Sequence, residues 1–216
     1  MSSAPPRYSI VLKDKSGANS YEFEKATDIA WEWYENEVGR CRFKVPYNDV
    51  KLSATSIPDN AFSEILIYSD GVFQWQGFIA YIQDNKYGVT VYGLTFLEFL
   101  KWYRVGYNTA YTTKKIGSEI ISPIYDIIVA YTNDIFGERI TKGTIQNPYD
   151  TGSSSAEKTI TKTVFDEDFF TLLKDLAGAS RADSPSGAWK QDSVFEITFS
   201  ATAPTFNFFR DVGTDK

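Results

Sequence analysis

The chain has 216 residues, 43 % hydrophobic and 16 % aromatic, with 22 Lys and Arg against 28 Asp and Glu, no histidine and one cysteine. A chain of this length, once folded, buries roughly 70 % of its unfolded surface, so disorder is not the default reading and one large domain or two small ones fit. A net charge of −6 with no basic cluster denser than Arg40-Cys41-Arg42-Phe43-Lys44 or Lys114-Lys115 argues against sequence-specific nucleic-acid binding, which needs a counterion-releasing basic patch.

The elements follow in chain order. Met1 to Arg7 has no apolar stretch and reads neither as a signal peptide nor as a membrane anchor. Tyr8, Ile10 and Leu12 alternate with polar residues, a turn follows at Asp14-Lys15-Ser16-Gly17, and Tyr21 and Phe23 resume the alternation, so two strands are expected. Ile29, Trp31 and Trp33 share one spacing-two row among Asp28, Glu32 and Glu35, which predicts two tryptophans buried together on one strand face. After Asn36-Glu37-Val38-Gly39, the row Cys41, Phe43, Val45 alternates with Arg40, Arg42 and Lys44 and ends at Pro46. An acidic strand paired with a basic one gains about 0.2–1 kcal/mol per opposite-charge pair.

Residues 47–62 read as turns. Asp70-Gly71 sits between the apolar runs Ile65 to Tyr68 and Val72 to Trp75, a hairpin signal because both turn positions take positive φ. Gly77 to Ile82 continues as strand, Asn85-Lys86 turns the chain, and Tyr87 to Tyr92 returns, giving an antiparallel meander. Leu94 to Tyr103 fits a short helix or irregular turn, and Ile116 to Tyr131 fits a helix that Pro123 kinks or restarts. Gly143 to Lys158 is rich in Gly, Ser, Thr and Asn and reads as a mobile loop. Ile160, Lys162 and Val164 allow a strand. Asp166 is the expected cap of a helix carrying Phe169, Leu172, Leu173 and Leu176, with Gly178 closing it. Beyond the loop Ser184-Pro185-Ser186-Gly187, strands are expected at Val194 to Phe199 and Thr205 to Phe209.

Chemistry is sparse. Histidine-based triads lack their base, one cysteine cannot build a zinc site, and no Gly-x-Gly occurs, so nucleotide-binding loops are absent. Cys41 reads as a small core residue rather than a nucleophile. Asp166-Glu167-Asp168 offers carboxylates for a cation or for sugar hydrolysis, against a plainer role in capping a helix. Glu32, Glu35 and Glu37 beside Trp31 and Trp33 offer a sugar grip, against a plainer solvated face. No catalytic, cofactor-binding or metal-ligating residue is assigned, and no cofactor is expected.

The order of signals carries a resemblance: the hairpin from Val38-Gly39 into Phe43-Lys44-Val45-Pro46, the pair Gly77-Phe78-Ile79-Ala80-Tyr81-Ile82 and Val89-Thr90-Val91-Tyr92-Gly93-Leu94, then Phe169-Phe170-Thr171-Leu172-Leu173-Lys174-Asp175-Leu176-Ala177, and a close at Phe208-Phe209-Arg210-Asp211-Val212-Gly213-Thr214-Asp215. It resembles the tail hub and baseplate hub proteins of bacteriophages, also described as minor tail proteins. The resemblance implies a tube-like barrel fold, a trimeric ring of copies, and contacts to the tail tube or distal tail protein and to the tape measure or spike protein. It also implies a virion location at the tail tip after synthesis in the host cytoplasm. Such proteins are usually longer, with a second barrel beyond the point where this chain stops at Lys216, so a short member or an N-terminal fragment is expected.

The reading is an α+β protein: residues 1–105 an antiparallel, tube-like β-barrel or sandwich, and residues 106–216 a mixed α/β unit with closing strands. The expected function is a non-catalytic structural subunit of a phage tail tip. A carbohydrate-binding β-sandwich module with exposed aromatics and a carboxylate-pair glycoside hydrolase are the alternatives.

Overall fold

The structure, a computed structural model, describes residues 6–14, 20–49, 52, 63–106, 108–136, 140–147, 158–180, 182–183, 190–191, 193–199 and 204–210. Most of the expected turn at 14–17, most of residues 50–62 and the expected loop at 184–187 lie outside these. The fold is α+β, and the chain divides into two compact units, Met1–Phe96 and Leu97–Lys216.

The first unit is one antiparallel sheet. Its strands are β1 (Tyr8–Lys13), β2 (Ser20–Phe23), β3 (Thr27–Glu32), β4 (Arg40–Pro46), β5 (Glu64–Ser69), β6 (Val72–Asn85) and β7 (Gly88–Leu94). They are ordered β2-β1-β5-β6-β7-β4-β3. The two edge strands, β2 and β3, are consecutive in sequence and joined by residues 24–26 alone. Four Cα steps from Phe23 to Thr27 reach at most about 14 Å, so the sheet must curl until its edges approach. The ladder does not close. Instead, Tyr8 on β1 meets Trp31 on β3 edge to face at 5.6 Å. The expected β architecture is therefore present as one curled sheet with a side-chain seam.

Alternation fills the inside of the curl. Ile10, Leu12, Phe23, Cys41, Phe43, Val45, Ile65, Ile67, Trp75, Ile79, Val89 and Val91 form one buried cluster. Trp75 needs room, and Gly93 supplies it: a Cβ there would lie 2.6 Å from Cys41 Sγ and 3.1 Å from the Trp75 ring. The strand β5 is apolar on both faces because its outer face is buried too. There Glu64 accepts a hydrogen bond from Gln76 and lies 3.6 Å from Lys13, so the buried carboxylate is paired, as burial of a charge requires. Phe78 packs on Phe96 at 6.0 Å.

Asp70-Gly71 forms the expected two-residue turn. Ser69 pairs with Val72, and φ is 51° at Asp70 and 77° at Gly71. The Asp70 carboxylate also accepts the Arg7 backbone N–H at 2.9 Å. No atom lies within 4 Å of a Cβ placed on Gly71, so a side chain there meets only the conformational penalty. Gly71→Val should cost about 1–2 kcal/mol, read as a lowered denaturation midpoint; an unchanged midpoint would reject the turn type.

The second unit begins inside a short 3-10 turn, Phe96–Lys101, where the sequence allows a short helix or irregular turn. Then come β8 (Arg104–Val105) and β9 (Thr109–Lys115), followed by a π-helical turn, Ile116–Ile121, that runs into α1 (Ser122–Phe136). Pro123 stands second in α1, where the π-turn gives way to α-helix, so it marks the restart. The π-turn's first amides are capped from outside: Asn147 Oδ1 accepts from Gly117 N at 2.7 Å and from Ser118 N at 2.9 Å. Further on are β10 (Thr141–Ile145), β11 (Thr159–Val164), β12 (Glu167–Asp168), α2 (Phe169–Ala179), β13 (Ala182–Asp183), β14 (Lys190–Gln191), β15 (Ser193–Phe199) and β16 (Pro204–Arg210). The strand β16 is central, antiparallel to β15 and parallel to β10. Its Phe206 is stacked on Tyr125 of α1, 4.4 Å between centroids, and tilted against Phe169 of α2 at 6.4 Å. Phe170 meets Phe195 of β15 edge to face.

Three sequence expectations are corrected here. Asp168, not Asp166, caps α2, accepting from Thr171 N at 2.9 Å, because Asp166 is diverted by a positive φ of 48°. Gly178 lies inside α2 rather than after it, and the helix ends through Ser180 in ordinary right-handed geometry. Gly143 to Ile145 belongs to β10 rather than to a loop; the remainder of that stretch as far as Glu157 lies, from Pro148 on, outside the described residues.

Glu196 on β15 is half-buried, and burial raises its carboxyl above the usual carboxylate range. The charged form is thus penalised in the folded state. Glu196→Gln should stabilise the protein at neutral pH, and the gain should fade as pH falls through the raised value into the ordinary carboxylate range. Thermal melts of both forms at two pH values check this; a pH-independent difference would refute it.

Candidate assembly surface

The residues singled out by sequence do not converge on a chemical centre. Cys41 is buried on β4 against Gly93, and burial pushes its thiol far up, which suits a core residue. Trp31 and Trp33 are not buried together. The strand β3 ends at Glu32, and a positive φ at Asn36 turns the chain, so Trp31 packs against the core while Trp33 is exposed. The indole N–H of Trp33 donates to Gln74 O at 3.1 Å. Gln74 is the residue skipped in the β5–β6 register, so Trp33 satisfies the carbonyl of a bulge. Glu32 is spent on Tyr34, whose hydroxyl donates to it at 3.1 Å, and on Arg40 at 3.9 Å. This is the expected cross-strand charge pair, since Glu32 and Arg40 are partners in the register.

The acidic triplet is also employed structurally. Asp168 caps α2, Glu167 lies 3.4 Å from Lys162, and the Asp166 carbonyl accepts from Arg104 at 2.8 Å. Lys162 is further paired with Asp175. Arg104, Lys162, Thr163, Phe165, Glu167 and Asp168 line a wide, shallow concavity of about 490 Å³, in which Lys162 and Glu167 neutralise each other. Among the described residues no three His, Cys, Asp or Glu side chains gather as a metal would need, and no helix is long and apolar enough to cross a membrane.

What the first unit does offer is exposed aromatic surface. Tyr81 and Tyr92 are register partners on the outer faces of β6 and β7, stacked at 4.2 Å with an interplanar angle of 12°. Arg42 lies beside Tyr92 on β4. At the far end of the same face, Tyr87 sits between Lys44 and Lys86, 5.9 and 5.7 Å from its centroid. Tyr47 donates its hydroxyl to Asp84. Sequence reasoning passed over these tyrosines. The signal was available, because the Val89, Val91, Gly93 row points inward and leaves Thr90, Tyr92 and Leu94 outside.

No protein-family model matches the chain, and no curated protein matches it either. Solved structures do. A tail protein from Neisseria meningitidis MC58 aligns over 93 % of this chain and 50 % of its own, at 12 % identity and a TM-score of 0.50. The chain folds like this tail protein. A 43 kDa tail protein of prophage MuSo2 from Shewanella oneidensis aligns over 96 % of this chain and 54 % of its own, at 14 % identity and a TM-score of 0.47. A component of the E. coli type VI secretion system aligns over 96 % and 46 %, at 12 % identity and a TM-score of 0.45. The chain thus spans about half the length of the solved structures it matches.

Proposed function

We propose that this chain is a structural subunit of a phage-type tail tip, a hub that joins the tail tube to the distal tip or spike through ring assembly and without catalysis. The observation that carries the reading is the likeness in fold to the Neisseria tail protein over 93 % of the chain. Two features support it. Asp168 acts as a helix cap, and Glu167 and Glu32 act as ion-pair partners. The first unit exposes Trp33, Tyr34, Tyr47, Tyr81 and Tyr87, and aromatic residues are enriched at protein interfaces. In this reading copies of the chain form a trimeric ring whose interface lies in the first unit, with the tube or distal tail protein on one side and the tape measure or spike protein on the other. Gold-labelled antibody against the chain, applied to purified particles and viewed by electron microscopy, tests the reading. Label at one tail end is expected; particles that carry none of the protein would end it.

A further inference from the structure

We propose that the outer edge of β11 takes an extended segment of a different tail polypeptide as a third strand, with one carboxylate of that segment meeting Arg104. This contact lies in the second unit and goes beyond the ring, but it rests on the tail reading, which supplies the trimeric symmetry used below.

The strands β9 and β11 form a sheet of only two. A two-stranded ribbon is marginal in water and gains from a third strand. Among the described residues, no backbone group of Thr109 to Lys114 or of Thr159 to Val164 bonds to anything beyond the ribbon. Each strand therefore has an open side, and the two sides differ. The strand β9 bulges where Thr112 and Thr113 together face Thr161, with a positive φ of 52° at Thr113, and it carries the exposed Lys114. Bulges and charges are the devices that blunt an edge against pairing. The strand β11 has no such protection. Its exposed residues are Thr159, Thr161 and Thr163, uncharged and of the β-branched kind that favours strands. Its one charge, Lys162, is tied to Glu167 and Asp175.

The concavity at Phe165 lies along this open side. Lys162 and Thr163 are consecutive in a strand and point to opposite faces, yet both line it, and no residue of β9 does. A hollow shared by both faces of β11 but not by its partner strand sits at the free edge. Within it Glu167 is matched by Lys162, and Asp168 by Thr171. Arg104 donates to the Asp166 carbonyl and meets no carboxylate among the described residues. The unmatched charge is thus positive, and a carboxylate fits a guanidinium in two parallel hydrogen bonds. Main-chain bonds give an added strand its affinity, and side-chain pockets give it specificity; Arg104 and the exposed ring of Phe165 supply such a pocket. Two β11 edges pairing with each other would be related by a two-fold axis, which a trimeric ring lacks, so the occupant is a different polypeptide of the tail.

The test is hydrogen exchange read residue by residue on the purified full chain and on purified particles, with a photo-cross-linker, p-benzoylphenylalanine, placed at position 163. In the free chain the outward half of the amides from Thr159 to Val164 should exchange fast. In particles they should slow at least about tenfold, and the cross-link should run to another polypeptide. Thr159→Lys/Thr163→Lys, which charges the edge, should abolish that protection, and Arg104→Gln should reduce it; circular dichroism of the free variants verifies that they fold. Slow exchange in the free chain would show the edge already covered by the chain's own residues and would overturn the proposal. So would unchanged exchange in particles, cross-links confined to a second copy, or protection that survives either variant. Particles that hold the chain but leave β11 unprotected remove only this contact; particles that lack the chain end the tail reading and this contact with it.

Discussion

Replacing Gly77 by alanine is expected to lower the stability of the first unit by about 3 kcal/mol or more, the upper range for forcing atoms into a packed site. Gly77 stands on β6 opposite Ile65. A Cβ there would run into the Leu94 carbonyl, with its carbon only 2.8 Å away, and into the Trp75 ring. Neither neighbour yields cheaply. Leu94 is pinned because it pairs with both Phe78 and Arg40, and Trp75 is fully buried in the centre of the core. Gly71→Ala is the matching control: it has open space around it and should cost only about 1–2 kcal/mol, from its positive φ alone. Urea denaturation of both variants decides the matter, and equal midpoints would show that the packing around Trp75 is looser than described.

Phe206→Ala should cost about 3–5 kcal/mol, as large-to-small changes of buried aromatics do. Phe206 is fully buried on the central strand of its sheet and touches rings from both helices of the second unit. Its loss would leave Tyr125 with its hydroxyl still reaching Thr141 O, at 3.3 Å, but with no ring to stack on. Hydrogen exchange should show the weakening in α1, α2 and β16. A change under about 1 kcal/mol would mean that the cavity collapses freely.

The sequence shows the first unit far better than the second, for a physical reason. Hairpins are local, so Asp70-Gly71 and the alternation of Cys41, Phe43 and Val45 declare turn, strand and inward face within a dozen residues. The pairing of β10 with β16 is not local. Gly143 looked like loop because of its composition, yet it is glycine because a Cβ would press on Phe206 O, 2.8 Å away. The bulge beside it is satisfied by Asn207, whose Oδ1 accepts from Thr144 N at 2.9 Å. Nothing near residue 143 announces a partner sixty residues on. Asp166 and Asp168 both suit a cap, and only the backbone twist at Asp166 chooses between them. Trp33 has the spacing of Trp31, but the strand ends one residue too soon for it to follow Trp31 inside. The basic row could be read from Arg40, Arg42 and Lys44. That Tyr87 and Lys86 join the far end of that row depended on β4 pairing with β7, a contact between segments more than forty residues apart.

The proposed self-assembly through the first unit is tested most directly by cross-linking mass spectrometry with a lysine-reactive reagent on purified particles. Links between copies should involve Lys13, Lys25, Lys44 or Lys86. Links between copies confined to the lysines from Lys101 to Lys174, with none from those four, would contradict it.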